Sequence, residues 1–318
     1  MQMRRLGHTG LRVSALALGT MTWGTDTDEH EAKELFTDFL AAGGTLIDTA
    51  PGYGQGRAEE LVGALLSEAG ARSDVTLMTK AGVRADDAGR AVVDTSRRTL
   101  LDSLDESLAA LGTDHTDIFV VQAPDPDTGV AEVAAALTTA VRSGRAHYVG
   151  VANYAAWQVA QLAGALPTDV PLALAQAEYS LLQRDAEREL LPACRALGVG
   201  FVGCAPLGRG VLTGKYRNTI PADSRAASQH LATYVEPYLG PAFHGMVEAV
   251  ATAAQGLDCQ PLQVAAAWAQ AQDGVAAVIS GPRTAAQLRT LVGEVILPPQ
   301  IMHALSQAGT QDYRTGRQ

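Results

Sequence analysis

The feature that most constrains this chain is an alternation. Short apolar runs, many of them β-branched, recur with helical stretches between them. Eight runs have strand length: Ala15–Leu18, Thr45–Asp48, Val75–Lys80, Thr116–Gln122, Ala146–Ala152, Ala173–Tyr179, Gly200–Cys204 and Ala276–Ser280. Near-continuous apolar character suits strands covered on both faces, as in a parallel sheet. Among the intervening segments, Asp28–Ala42 opens on a capping residue type and closes at Gly43-Gly44. Ala58–Ala69 ends at Gly70. Thr95–Leu111 sets Leu100, Leu101, Leu104, Leu108 and Leu111 along one stripe and stops at Gly112. Glu187–Leu197 stops at Gly198. Such alternation permits a closed (β/α)8 barrel or a doubly wound open sheet. No long linker halves the chain, so one barrel domain over residues 1–318 is expected. Two segments fall outside the repeat. RRLGHTGLRVS near the N-terminus predicts a hairpin turning at Thr9-Gly10, and residues 205–260 predict a long loop with extra helices after the seventh strand.

Composition bounds the function. A hydrophobic fraction of 47% with 18% charged residues supplies a large core and excludes a disordered chain. Thirty-four acids against 24 bases give a net charge of −10, which argues against a nucleic-acid-binding surface but allows a local basic pocket. Three cysteines, Cys194, Cys204 and Cys259, form no CxxC pair and point to a reducing, cytoplasmic setting. No apolar run approaches the roughly 20 residues of a membrane span, and the N-terminus shows no signal-peptide core. Seven histidines are scattered, none at a predicted strand C-terminus. His115 and His147 flank strand starts, so no metal site is expected.

Barrel enzymes place their chemistry at the C-terminal ends of the strands. Those ends are where this sequence turns polar. Strand two ends at Asp48, followed by TAPGYGQGR; strand three ends at Lys80; strand four ends at Gln122; Ala152-Asn153 ends strand five; strand six carries Gln176 and Glu178; strand seven ends at Cys204, before APLGRG. A strand-end lysine and aspartate are costly if buried apart. They pair either as a structural seal or to tune a third group. Tyr53, in the glycine-rich loop after Asp48, is the candidate third group, since a nearby ammonium favours the phenolate. Gly52-Tyr53-Gly54-Gln55-Gly56 matches only half of a dinucleotide fingerprint. Trp23, in TMTWG after strand one, is either a substrate wall or lid packing.

Taken in order, DTAPGYGQGR, Thr79-Lys80, LGTDHTDIFVVQAPD, VGVAN, QAEYSLLQR, PLGRGVLTGKY and SGPR resemble the aldo-keto reductase superfamily along essentially the whole chain. The resemblance is nearest to the branch of potassium-channel β-subunits and bacterial reductases. It implies a (β/α)8 barrel and NADPH. It also implies Tyr53 as general acid, Lys80 lowering the Tyr53 pKa, and Asp48 holding Lys80. Gln122 stands where the family histidine usually falls: an amide can orient a carbonyl but cannot relay a proton. Ala152, Cys204 and Leu291 are further departures from the usual Ser, aromatic and Asn. By the same resemblance, Thr20, Asp48, Asn153, Gln176, Cys204, Pro206, Leu207, Gly208, Lys215, Arg225, Gly281, Arg283 and Gln287 contact the cofactor. Asn153 and Gln176 face the carboxamide, while Arg283 and Gln287 face the 2′-phosphate and adenine. Trp23, Tyr53 and Gln122 contact the substrate. The implied activity is reduction of a ketone or aldehyde, extending to a bulky natural-product or sugar ketone. The alternative is an NADPH-binding regulatory or sensor subunit with little turnover. The expected partner is a small carbonyl compound, with neither nucleic acid nor membrane, and association into a homo-oligomer is compatible with the chain.

Overall fold

Eight parallel strands pair in chain order and close on themselves. They are β1 (Leu16–Gly19), β2 (Leu46–Asp48), β3 (Thr76–Ala81), β4 (Thr116–Val121), β5 (Ala146–Ala152), β6 (Leu172–Glu178), β7 (Gly200–Cys204) and β8 (Val275–Ser280), with β8 pairing back onto β1. The protein is a (β/α)8 barrel; this computed structural model describes residues 1–86, 90–222, 224–228 and 231–308. The last ten residues of the expected domain lie outside the described residues. Side-chain period two divides each strand between two cores. Leu46, Met78, Ile118, Val120, Leu174, Val202 and Ala277 fill the barrel interior. Phe119, Val121, Val149, Val151 and Phe201 face the helical layer.

The helices follow their caps. Asp28 accepts from the Glu31 backbone N–H at 2.9 Å and opens α1 (Glu29–Ala41). Next come α2 (Arg57–Ala69), α3 (Arg97–Leu111), α4 (Val130–Arg142), α5 (Ala156–Ala165) and α6 (Leu190–Leu197). Ser96 caps α3, which starts it at residue 97 rather than the expected 95. The fourth expected helix also starts late, at Leu190 instead of Glu187. Pro192 is the reason. As the third helical residue it forfeits no intrahelical bond, whereas in a helix interior it would cost about 3 kcal/mol. Beyond β7, within 205–260, lie the expected extra elements: 3-10 turns, a one-turn helix (Ala232–Val235) and α7 (His244–Gly256); α8 (Pro261–Gln270) follows before β8. After β8 come α9 (Ala285–Leu291) and α10 (Pro299–Ala308). An antiparallel pair on the mouth side of β3, Val83–Ala85 with Ala91–Val93, had no sequence counterpart. Among the described residues no helix is long and apolar enough to cross a membrane.

The N-terminal hairpin, Met3–Arg5 with Arg12–Ser14, closes the barrel floor. Its turn runs from Leu6 to Leu11, joined by a 2.9 Å backbone bond, and contains Thr9-Gly10. Gly7 lies at φ +55°, where a Cβ would fall 2.4 Å from the Gly198 carbonyl oxygen, so this close approach requires glycine. Leu6 and Val13 are fully buried and join the interior cluster from below. Leu6→Ala is expected to cost about 2–5 kcal/mol, the range for deleting a buried leucine side chain. Urea unfolding should show a lower midpoint at an unchanged slope.

Candidate active site

Inward positions turn from apolar to functional at the top of the barrel. Leu46 is followed by Asp48, Met78 by Lys80, Val120 by Gln122, Leu174 by Gln176 and Val202 by Cys204. The strand register sets Asp48 against Met78, which leaves Lys80 one inward position higher. The two charges meet there. Lys80 Nζ donates to Asp48 Oδ1 at 2.5 Å, to the Thr49 carbonyl oxygen at 2.9 Å and to Tyr53 Oη at 3.3 Å. Asp48 is 3% exposed and Lys80 1%. An ammonium carries three N–H donors, and all three are assigned. Since Tyr53 Oη accepts from Lys80, its own hydrogen is free to point elsewhere.

Local sequence explains how Tyr53 reaches this pair. It begins a tight turn, Tyr53–Gly56, in which Gly54, Gln55 and Gly56 all have positive φ. A Cβ on Gly54 would lie 2.4 Å from the Trp23 carbonyl oxygen. The glycines of GYGQG therefore serve the turn into α2.

Electrostatics at the pair follow from burial and proximity. Burial alone would lower the Lys80 pKa, but Asp48 and then Tyr53 more than reverse it, so the ammonium is held charged. Burial pushes the Asp48 carboxyl up while Lys80 pulls it back. The Tyr53 ring keeps a partly exposed edge, yet its hydroxyl is deeply enclosed. The phenol pKa is raised: burial dominates, and Lys80 offsets only part of it. Lys80 therefore pulls the phenol pKa down as expected, and the net rise comes from desolvation of the phenolate, which outweighs the attraction. Behind Lys80, the buried Glu59 accepts from Thr79 Oγ1 at 2.5 Å, and burial raises its carboxyl too. Thr20 is fully buried; its backbone N–H and hydroxyl both donate to the Asp48 carbonyl oxygen, at 3.0 and 3.1 Å.

Amide side chains stand around the pair. Gln122 Oε1 and Gln176 Oε1 are buried without a hydrogen-bond partner. Asn153, at φ +64°, donates from Nδ2 to the Gln122 carbonyl oxygen at 2.9 Å. Burial pushes the Cys204 thiol up to about 12, aided by Glu178 and Asp48, so it stays protonated. Trp23 is fully enclosed in the layer beneath α1 and α2. It is packing, and the wall reading of Trp23 falls.

A second zone adjoins. Pro206, Leu207, Lys215, Arg225, Gly281, Arg283 and Gln287 line one pocket, together with Arg209, Gly210, Thr213, Leu262, Ser280, Pro282 and Leu291. Gly208, at φ +53°, sits against Leu182. Burial and then the neighbouring Arg283 and Arg225 lower the Lys215 pKa. Burial also lowers Arg225, whose Nη2 donates to the Gly281 carbonyl oxygen at 2.8 Å. Gln287 Oε1 accepts from the Arg283 backbone N–H at 2.9 Å. Sequence reasoning missed Arg209. At φ +56°, it forks onto Glu178 at 2.9 and 2.5 Å and lies 4.2 Å from the Tyr234 ring centroid. It ties the loop after β7 to the end of β6. The polar Glu178 at a strand end was the available signal.

Lys80→Met would leave Asp48 buried without its cation. A loss of about 3–5 kcal/mol is expected. Adding Asp48→Asn should recover much of that loss, measured as a double-mutant cycle in urea.

Residues 15–307 match the model of the Aldo/keto reductase family. The chain is 35% identical to the uncharacterized oxidoreductase YrpG of Bacillus subtilis (strain 168), over 96% of this chain and 95% of the relative. It is also 35% identical to a probable voltage-gated potassium channel subunit beta of Oryza sativa subsp. japonica, over 88% of this chain and 87% of that one.

Proposed function

The chain belongs to the aldo/keto reductase family, oxidoreductases that generally use a nicotinamide nucleotide, and on that premise we propose that it is an NADPH-dependent carbonyl reductase with Tyr53 as general acid. The carrying observation is the complete set of Lys80 donors. With Asp48, the Thr49 carbonyl and Tyr53 Oη as its three acceptors, Lys80 fixes the phenol oxygen and leaves its proton to be given away. The raised Tyr53 pKa keeps that proton in place at neutral pH. As it leaves, Lys80 stabilises the phenolate. Gln122 adds an amide donor for the carbonyl oxygen and no titratable group.

The residues fit the cofactor. The partnerless Gln176 Oε1 suits an amide N–H, which supports Gln176 with Asn153 as the carboxamide site. Lys215, Arg225 and Arg283 converge on one pocket, as phosphate binding requires. Arg283 with Gln287 sits at the entrance to α9, which favours a 2′-phosphate and so NADPH. When bound, the reduced nicotinamide supplies the hydride. Thr20 supports this site by holding the backbone of Asp48. Ala152 and Cys204 are smaller than the Ser and the aromatic that the family usually carries there, which favours a ketone of some bulk, such as a sugar or natural product. The three free thiols suit the cytoplasm. A regulatory subunit with little turnover would need none of this proton geometry.

Tyr53→Phe keeps the ring and removes the acid. Turnover should fall by about 10²–10⁴-fold, with NADPH binding nearly intact, followed as absorbance loss on a ketone panel. Wild-type turnover in this variant, with chemistry rate-limiting, sinks the assignment. Negligible turnover by the wild type across the panel would favour the regulatory reading.

Arg283→Ala tests the cofactor separately. Loss of a charge-assisted contact, roughly 1.5–3 kcal/mol, should weaken NADPH about 10- to 150-fold and leave NADH nearly unchanged. Equal losses in fluorescence titrations of both cofactors would remove Arg283 from the 2′-phosphate site.

A further inference from the structure

The barrel floor carries a second cluster of chemistry. Asp117 is the second residue of β4 and His147 the second of β5. Parallel pairing sets Thr116 against Ala146 and Ile118 against Tyr148, so Asp117 and His147 occupy matching positions on adjacent strands. Both have the parity of Phe119, Val121, Val149 and Val151, which face outward. His115 lies two residues before Asp117 and shares that face. Adjacent strands are about 4.8 Å apart. The three side chains therefore converge below the helical ring, with one ligand atom of each within 4.8 Å of the others.

We propose that His115, Asp117 and His147 form a binding site for a borderline divalent transition ion, Zn²⁺ above all. The chemistry of each ligand supports this. His115 Nδ1 lies 2.6 Å from Asp114 Oδ1, which leaves Nε2 for the ion. A carboxylate on the far nitrogen is the usual support of a metal-bound imidazole, since it fixes the tautomer and raises basicity. Asp117 Oδ2 is held by Arg72 Nη1 at 2.9 Å and the Leu77 backbone N–H at 2.8 Å. Its Oδ1 is turned toward His147 Nδ1, 3.6 Å away. The imidazole rings stand 4.4 Å apart, centroid to centroid. Their side chains are 28% and 51% exposed, so an ion can reach them.

A common ion with bonds of about 2.1 Å needs its ligand atoms within about 4.2 Å of one another. His147, the most exposed of the three, supplies that movement. Two nitrogens and one oxygen leave a fourth tetrahedral position for water. Arg72 balances the Asp117 charge, so the imidazoles carry the affinity. That selects Zn²⁺ or Co²⁺ over Mg²⁺ and Ca²⁺, which require several oxygen ligands. The ion would join β4 to β5 and, through Asp117 and Arg72, to the entrance of β3. It lies at the end of the barrel opposite the mouth.

Titration calorimetry of untagged, chelator-treated full-length protein with Zn²⁺ tests the site. One ion per chain is expected, with no heat from Mg²⁺ or Ca²⁺. Affinity should weaken in acid, because protons compete with the ion for its ligand atoms. His115→Ala and His147→Ala should each weaken Zn²⁺ at least about tenfold, since losing even a residue that only hydrogen-bonds to a ligand costs roughly 10–100-fold. Both variants should keep the unfolding temperature of the metal-free parent and lose the rise that Zn²⁺ gives it. Co²⁺ absorption identifies the ligands: weak visible bands without a thiolate charge-transfer band are expected. No binding, an unchanged affinity in both variants, or a thiolate band assigning the ion to a cysteine would each overturn the proposal.

Discussion

The ion pair of Lys80 and Asp48 is the interaction on which the site depends. Both groups are almost wholly out of water, where an unpaired charge costs several kcal/mol. Neither can leave without stranding the other. Their meeting requires the barrel, because β2 and β3 must be held in a register that offsets the two by one inward position. Once paired, Lys80 has one donor left over after Asp48 and the Thr49 carbonyl, and that donor sets the place of the Tyr53 oxygen. Thr20, on the loop after β1, grips the Asp48 backbone from the other side. A chain of fixed positions thus runs from β1 through β2 and β3 to the phenol.

Most of the fold was legible because buried parallel strands are written as apolar runs. Two strands, Ala146–Ala152 and Gly200–Cys204, have the boundaries their sequence implies. The other six shift by a residue at one or both ends, where an apolar flank such as Ala15 or Val75 belongs to the core without joining the ladder. The start of α1 was legible from its cap at Asp28, and the start at Leu190, where proline decides, was less so. At the site, inward residues at strand ends could be read from period two. Trp23 could not: an aromatic after a strand looks the same in sequence whether it lines a mouth or is enclosed beneath helices. Arg209 was hidden for another reason. Its role needs a left-handed backbone at a non-glycine residue and a carboxylate 31 positions away.

The second zone sets a local charge against the global one. The chain carries −10 overall, yet Lys215, Arg225 and Arg283 face one pocket. Burial, and then repulsion from Arg283, lowers the pKa values of both Lys215 and Arg225. Each of these costs falls when an anion enters, since phosphate oxygens replace lost water and cancel the repulsion. The same reasoning applies to Gln122 and Gln176. A buried amide oxygen without a partner is a cost of about 1–3 kcal/mol that a ligand donor would remove.

One geometric rule accounts for both ends of the barrel. A strand entering at the floor and leaving at the mouth exposes its last inward residue to the mouth and its first outward residue to the floor, beneath the helices. The mouth gathers one inward side chain from each of several strands, so groups from distant parts of the sequence converge on a single point. The floor gathers outward side chains, which diverge around the barrel, so only neighbours on adjacent strands can meet. That is why Asp48, Lys80 and Tyr53 meet at one point of the mouth, whereas on the floor Asp117 meets only His147 of the adjacent strand and His115 of its own. Groups on the floor can therefore bridge two neighbouring strands at most, while groups at the mouth can come together from several.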